Sequence, residues 1–281
     1  MPERVAIVTG GLRGLGRAMT LGLLRTGRRV LAVGHIAGDV ADMEQQVADE
    51  PFAAALRCLL ADLRDPQQCD FVVRMAQQEF NGLDILVNNA GLTFTYIDPD
   101  RFENGPRKFW TLPDDVVQTV MDINYVAADR MARRVVPVLI AQGWGRIVNV
   151  TTKLSTMNAR GSVPYGPSKA ALEIATEIWA KELDGSGVTA NIINPGAGAN
   201  TPGMGKTMRE RSARGEVPPL VEPEEMVPPL LFIVSHEADA VNGYRFDANA
   251  WDASLPPVEA ARCSGRRAGF ELHPVSDCIA P

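Results

Sequence analysis

Cysteine is scarce in this 281-residue chain. Cys58, Cys69, Cys263 and Cys278 are the only four, and none has metal-ligand spacing. Free thiols in a reducing compartment are therefore expected. No apolar run reaches the ~20 residues that a membrane span requires. The first apolar stretch opens at Arg4-Val5-Ala6-Ile7, which leaves no room for a signal peptide before it, so a cytoplasmic location is expected. Lys and Arg form no rich run, and the net charge is −6. Nucleic-acid affinity rests on neutralising phosphates, so this chain is a poor candidate for it. No internal repeat or low-complexity tract is present. What remains is an ordinary globular composition, 46% hydrophobic and 22% charged, long enough to bury a substantial core.

Val5-Ala6-Ile7-Val8 closes at Thr9-Gly10-Gly11. Apolar residues at consecutive positions predict a strand buried on both faces, as in a parallel sheet. Gly14, Leu15 and Gly16 follow, then a helical pattern from Arg17 to Leu24. Glycines at such a turn let backbone approach a pyrophosphate, and the helix start offers it free N–H groups. The alternative is a turn that merely joins two elements. Further strands are expected at 28–33, 53–60, 84–87, 146–150, 188–193 and 243–246. Asp65-Pro66 and Glu222-Pro223 mark helix starts. Another begins at Thr111-Leu112-Pro113-Asp114 and runs to about Ala141, with Asn124 in its middle and a kink expected at Pro137.

This alternation predicts an α/β fold, a doubly wound parallel sheet with right-handed crossovers. Ligands in such sheets sit beyond the carboxyl ends of the strands. Residues 92–110 read as a long loop carrying Phe94, Tyr96, Phe102, Phe109 and Trp110. These aromatics either shape a substrate pocket or pin the loop. Residues 197–219 read as a mobile flap. One domain is expected over 1–250, with an irregular tail over 251–281.

Dinucleotide folds commonly hold the adenosine ribose with an acid at the end of the second strand. Here Gly34 and His35 stand there, and Asp39 is less well placed. Arg13 supplies a cation for a 2′-phosphate. Both features favour NADP(H) over NAD(H), although Arg13 also reads as a solvated loop residue. Asn88-Asn89-Ala90-Gly91 closes the fourth strand, either as cofactor lining or as a plain turn. Tyr165 and Lys169 lie four residues apart at the front of a helical run, on one face. A cation beside a phenol lowers its pKa from ~10 and suits it for proton transfer.

Together, Thr9-Gly10-x-x-x-Gly14-x-Gly16, Asp62, Asn88-Asn89-Ala90-Gly91, Tyr165-x-x-x-Lys169 and Pro195-Gly196 resemble the short-chain dehydrogenase/reductase family. The resemblance covers roughly residues 4–247. It implies a Rossmann-type fold of about seven strands and hydride transfer between NADP(H) and a carbonyl or secondary alcohol. Tyr165 is implied as the general acid/base, and Lys169 as the group that holds the nicotinamide ribose and lowers the tyrosine pKa. Thr152 stands where the family usually has serine; it keeps the hydroxyl and adds a methyl. Asn124 matches an asparagine that links the lysine through water to a proton relay. Asp62 and Leu63 are implied at the adenine, and Asn89, Ala90 and Gly91 near the inner ribose. Thr201 is the candidate for a nicotinamide-end threonine, one residue later than usual. Arg13 matches an arginine that accompanies NADP(H). A homotetramer or homodimer is implied as well. Met157, Tyr96 and Met204 are candidates for pocket lining. The alternatives are NAD(H) as cofactor, or a non-catalytic NADP(H)-binding sensor or scaffold on the same fold.

Overall fold

Every residue of Val5–Thr9 is buried, as the unbroken apolar run predicts. In the computed structural model, which describes residues 4–270, this segment is strand β1. The others are Arg29–Gly34 (β2), Leu56–Leu60 (β3), Ile85–Asn88 (β4), Gly145–Val150 (β5), Val188–Asn194 (β6), Tyr244–Asp247 (β7) and Gly265–Arg267 (β8). They form one sheet in the order β3-β2-β1-β4-β5-β6-β7-β8. β1 to β7 run parallel, and β8 runs antiparallel on β7. The expected count of about seven is thus one short.

The two faces of the sheet explain the sequence pattern. Val5, Ile7, Leu31, Leu86 and Ile147 enter one apolar cluster. Their neighbours Ala6, Val8, Val30, Val87 and Val148 enter another on the opposite face. Successive side chains on a strand point to opposite sides, so apolar character at every position needs helices on both. Helices Gly14–Arg25, Pro66–Phe80, Ala127–Ala141 and Tyr165–Glu182 are among those that supply it. Pro66–Phe80 starts as predicted: the Asp65 carboxylate accepts the Gln67 N–H at 2.8 Å, with proline at the first helical position.

Several expectations are corrected. The helical run after Thr111 is not a single α-helix. It is α-helical over Asp114–Met121, π-helical over Asp122–Val126 and α-helical again over Ala127–Ala141, with Pro137 inside the last segment. The irregular turn surrounds Asn124, and such π-segments gather at functional sites. The 92–110 stretch contains short helices at Phe94–Ile97 and Arg101–Asn104. The 197–219 flap contains Lys206–Ala213 and is tethered, because the Thr93 and Thr95 hydroxyls both donate to the Gly203 carbonyl, at 2.7 and 3.1 Å. The tail, expected to be irregular, forms helix Pro257–Ser264 and β8, while Trp251 packs on Phe232 and Phe246. Cys58, Cys69 and Cys263 are free thiols, and Cys278 lies outside the described residues. Among the described residues no helix is long and apolar enough to cross a membrane.

Candidate active site

The strand order reverses beside β1, where β4 rather than β3 becomes the next neighbour, leaving a crevice beyond the carboxyl ends. A cleft of about 1340 Å³ opens there. The first turn contributes Gly10, Arg13, Gly14 and Leu15 to its lining. His35, Asp62 and Leu63 follow from the ends of β2 and β3, and Asn89, Ala90 and Gly91 from the end of β4. Thr152, Tyr165, Lys169, Pro195 and Thr201 complete the expected set. Gly16, Gly196 and Asn124 are not among the lining residues.

Gly10 and Gly14 have φ of +62° and +53°, which favours glycine. A Cβ on Gly10 would lie 2.9 Å from the Ala90 Cα, so the turns after β1 and β4 close on each other only because that atom is missing. Hydrogen bonds lock this approach. The Asn89 amide donates to the Thr9 and Gly10 carbonyls, each at 3.0 Å, and the Thr9 hydroxyl accepts the Asn89 and Ala90 N–H groups. Gly16 packs against the Gly10 carbonyl and Gly196 against Asn249, so both serve the fold around the cleft. Helix Gly14–Arg25 starts with no side-chain cap and no acid in its first turn. Its N-terminal N–H groups and positive dipole end thus suit an anion. This cradle fits a dinucleotide pyrophosphate. Thr201 is placed over it: its Cβ would lie 3.4 Å from a Cβ on Gly14.

At the ends of β2 and β3, Arg13 is 3.7 Å from Asp39, and Arg64 is 2.6 Å from Asp62. The Arg64 hydrogen bond holds the Asp62 carboxyl below the usual range, against the opposing effect of burial.

Tyr165 opens helix Tyr165–Glu182, one turn ahead of Lys169. Burial pushes the phenol pKa up, and a hydrogen bond with the Thr152 hydroxyl pulls it back. Lys169 is 4% exposed, and its Nζ donates to the Val150 carbonyl at 2.8 Å. Burial lowers its pKa to about 8. Two of the three ammonium protons have no acceptor among the described residues. They are available to a ligand's hydroxyls.

Asn124 is fully buried. Its Oδ1 accepts the Leu92 N–H at 2.7 Å, and its Nδ2 donates to the Leu92 carbonyl and to Ser168 Oγ, each at 3.0 Å. The side chain is spent joining the loop after β4 to the Tyr165 helix.

A buried charge cluster supports Thr152 and has no clear sequence signal. Arg245 on β7 donates to the Thr152 carbonyl at 3.0 Å and lies 2.8 Å from Glu173, one turn beyond Lys169. Thr151 donates to the same carboxylate at 3.0 Å. Burial pushes Glu173 up, opposed by Arg245. Beyond β4, the Phe94 ring centroid is 4.7 Å from that of Tyr165, and the Arg101 guanidinium stacks 3.9 Å over Phe94. Tyr96, Phe102 and Met204 also line the cleft. Met157 does not; it is 6% exposed and backs onto Gly166. Phe109 and Trp110 face solvent, packed on each other.

The family model for short chain dehydrogenases matches residues 4–212. The chain belongs to this family. Its members are oxidoreductases that bind NAD(P)H. A short-chain type dehydrogenase/reductase of Picea abies is 31% identical, matching 85% of this chain and 88% of that protein. A fluoren-9-ol dehydrogenase of Terrabacter sp. is 28% identical, matching 95% and 82%. Among solved structures, a 3-ketoacyl-(acyl-carrier-protein) reductase from Brucella melitensis, complexed with NADH, superposes with TM-score 0.75 at 22% identity, covering 87% of this chain and 96% of that one. An actinorhodin polyketide ketoreductase with NADPH gives 0.73 at 22%, covering 85% and 93%.

Proposed function

We propose that this short-chain dehydrogenase/reductase transfers a hydride between NADP(H) and a carbonyl or secondary alcohol, with Tyr165 as general acid/base. The observation that carries the reading is that Thr152, Tyr165 and Lys169 line one cleft, with Tyr165 one helical turn ahead of Lys169. The Terrabacter relative, named for a secondary alcohol, agrees with it.

The first turn of helix Gly14–Arg25 would hold the pyrophosphate, Arg13 and His35 the 2′-phosphate, and Lys169 the nicotinamide ribose. When bound, the nicotinamide ring supplies or accepts the hydride. Thr152 and Tyr165 direct two O–H groups at the substrate oxygen and fix it for attack. In reduction Tyr165 gives its proton to the developing alkoxide; in oxidation it takes one back. A phenol pushed up by burial stays protonated at neutral pH, which suits the reductive direction. Consumption of NADPH with a panel of ketones and aldehydes tests the reading. No consumption with any of them, despite tight NADPH binding, would overturn it.

One observation favours NAD(H). Asp39 lines the adenosine end of the cleft and competes for Arg13 at 3.7 Å. The pair is long and Arg13 is largely exposed, so the link is weak. Parallel fluorescence titrations with NADPH and NADH separate the two cofactors.

A further inference from the structure

We propose that Arg101 binds a carboxylate on the substrate, so that the cleft selects an oxo acid or hydroxy acid whose charge is separated from the reacting carbon by an apolar spacer. This rests on the hydride-transfer reading and names its substrate class.

The charges in the cleft are divided. Its two carboxylates, Asp39 and Asp62, lie beyond β2 and β3, each beside its own arginine. The end beyond β4 and β5 is lined by Arg101 and Lys153 and by no carboxylate. Asp98, the acid nearest Arg101 in sequence, is occupied by Arg107 at 3.2 Å and also accepts the Arg107 backbone N–H. Among the described residues Arg101 has no carboxylate at ion-pair distance. Asp98 acts on the Arg101 charge from beyond ion-pair distance, but a cationic end whose lining holds no carboxylate is complementary to an anionic ligand.

Arg101 is also held ready. Its guanidinium stacks over Phe94, whose ring packs on Tyr165. Nη1 donates to the Gly161 carbonyl. Nε and Nη2 have no acceptor among the described residues. A planar fork with unspent donors matches a carboxylate, and fixing its plane beforehand reduces the entropy lost on binding. Two ring contacts separate it from the phenol. Phe94 stands between them, and Phe102 and Met204 add apolar lining to the cleft. The competing role for Arg101 is purely structural, pinning the loop that carries Phe94 to Gly161. A pin is indifferent to ligand charge, and this difference decides the experiment.

With the enzyme saturated in NADP⁺, binding of phenylbutyrate and of phenylbutyramide is measured by calorimetry for wild type, Arg101→Gln and Lys153→Gln. Wild type should prefer the acid by roughly 10- to 100-fold, the size of one charge-assisted bond. Arg101→Gln should erase that preference while leaving amide affinity within about threefold, and Lys153→Gln should keep most of it. Equal binding of acid and amide by wild type, or a preference that survives Arg101→Gln, overturns the proposal. A second arm compares reduction of benzoylpropionate with that of its methyl ester. Acid-selective binding with neither compound reduced counts against hydride transfer and leaves the anion site standing.

Discussion

Arg245 and Glu173 are both fully buried, with their charged ends 2.8 Å apart. The pair ties β7 to the helix of Tyr165 and Lys169, and Arg245 also holds the Thr152 carbonyl. Removing one partner strands a buried charge. Glu173→Leu and Arg245→Met are each expected to cost roughly 3 kcal/mol of stability, and the Glu173→Leu/Arg245→Met double variant clearly less than twice that. Urea unfolding of the full cycle measures this; additive losses would show that the pair is not coupled.

Lys169 should make stability depend on alkaline pH. Its pKa is about 8 in the folded protein against an ordinary 10.5. Between these values the unfolded chain binds more protons, so stability rises with pH. Below about pH 8 both states carry the charge, and burying it costs the fold roughly 3 kcal/mol. Wild type, compared with Lys169→Met, should therefore gain about that much between pH 8 and 10.5. A difference that stays flat across this window would mean that the lysine is not desolvated.

Cofactor choice is expected to turn on Arg13 and Asp39. Arg13→Ala should weaken NADPH roughly tenfold or more and leave NADH nearly unchanged. Asp39→Asn should tighten NADPH by relieving the competing carboxylate. If instead Asp39→Asn weakens NADH, and wild type binds NADH more tightly, Asp39 is the ribose-binding acid and NAD(H) the cofactor.

Thr152 contributes its hydroxyl to the site and its carbonyl to Arg245. Thr152→Ser should keep kcat within about fivefold, whereas Thr152→Ala should lose roughly 100-fold with an unchanged melting temperature. Comparable activity in Thr152→Ala would remove the hydroxyl from the mechanism.

The sheet was legible because parallel strands are apolar at every position, as in Val5–Thr9 and Ile85–Asn88. The cleft was legible because glycines, amides and the Tyr165-Lys169 pair fall at strand ends. β8 was not, since Gly265–Arg267 is a short polar edge strand. The π-segment had one trace, an asparagine in mid-helix, whose side chain braces Leu92 and Ser168. Arg245 showed as a charge in a short strand, but its partner Glu173 is distant in sequence, and only folding joins them. Met157 is buried outside the cleft lining, because a residue's place in the chain does not fix which way its side chain faces. Arg101 had no local pattern at all.

The most direct measurement is Tyr165→Phe, which removes one oxygen and leaves Lys169 and the glycine turn in place. With the best ketone found for wild type, NADPH affinity should stay within about threefold while kcat falls roughly 100- to 10,000-fold. Turnover near the wild-type rate would contradict the assignment of Tyr165 as the proton donor.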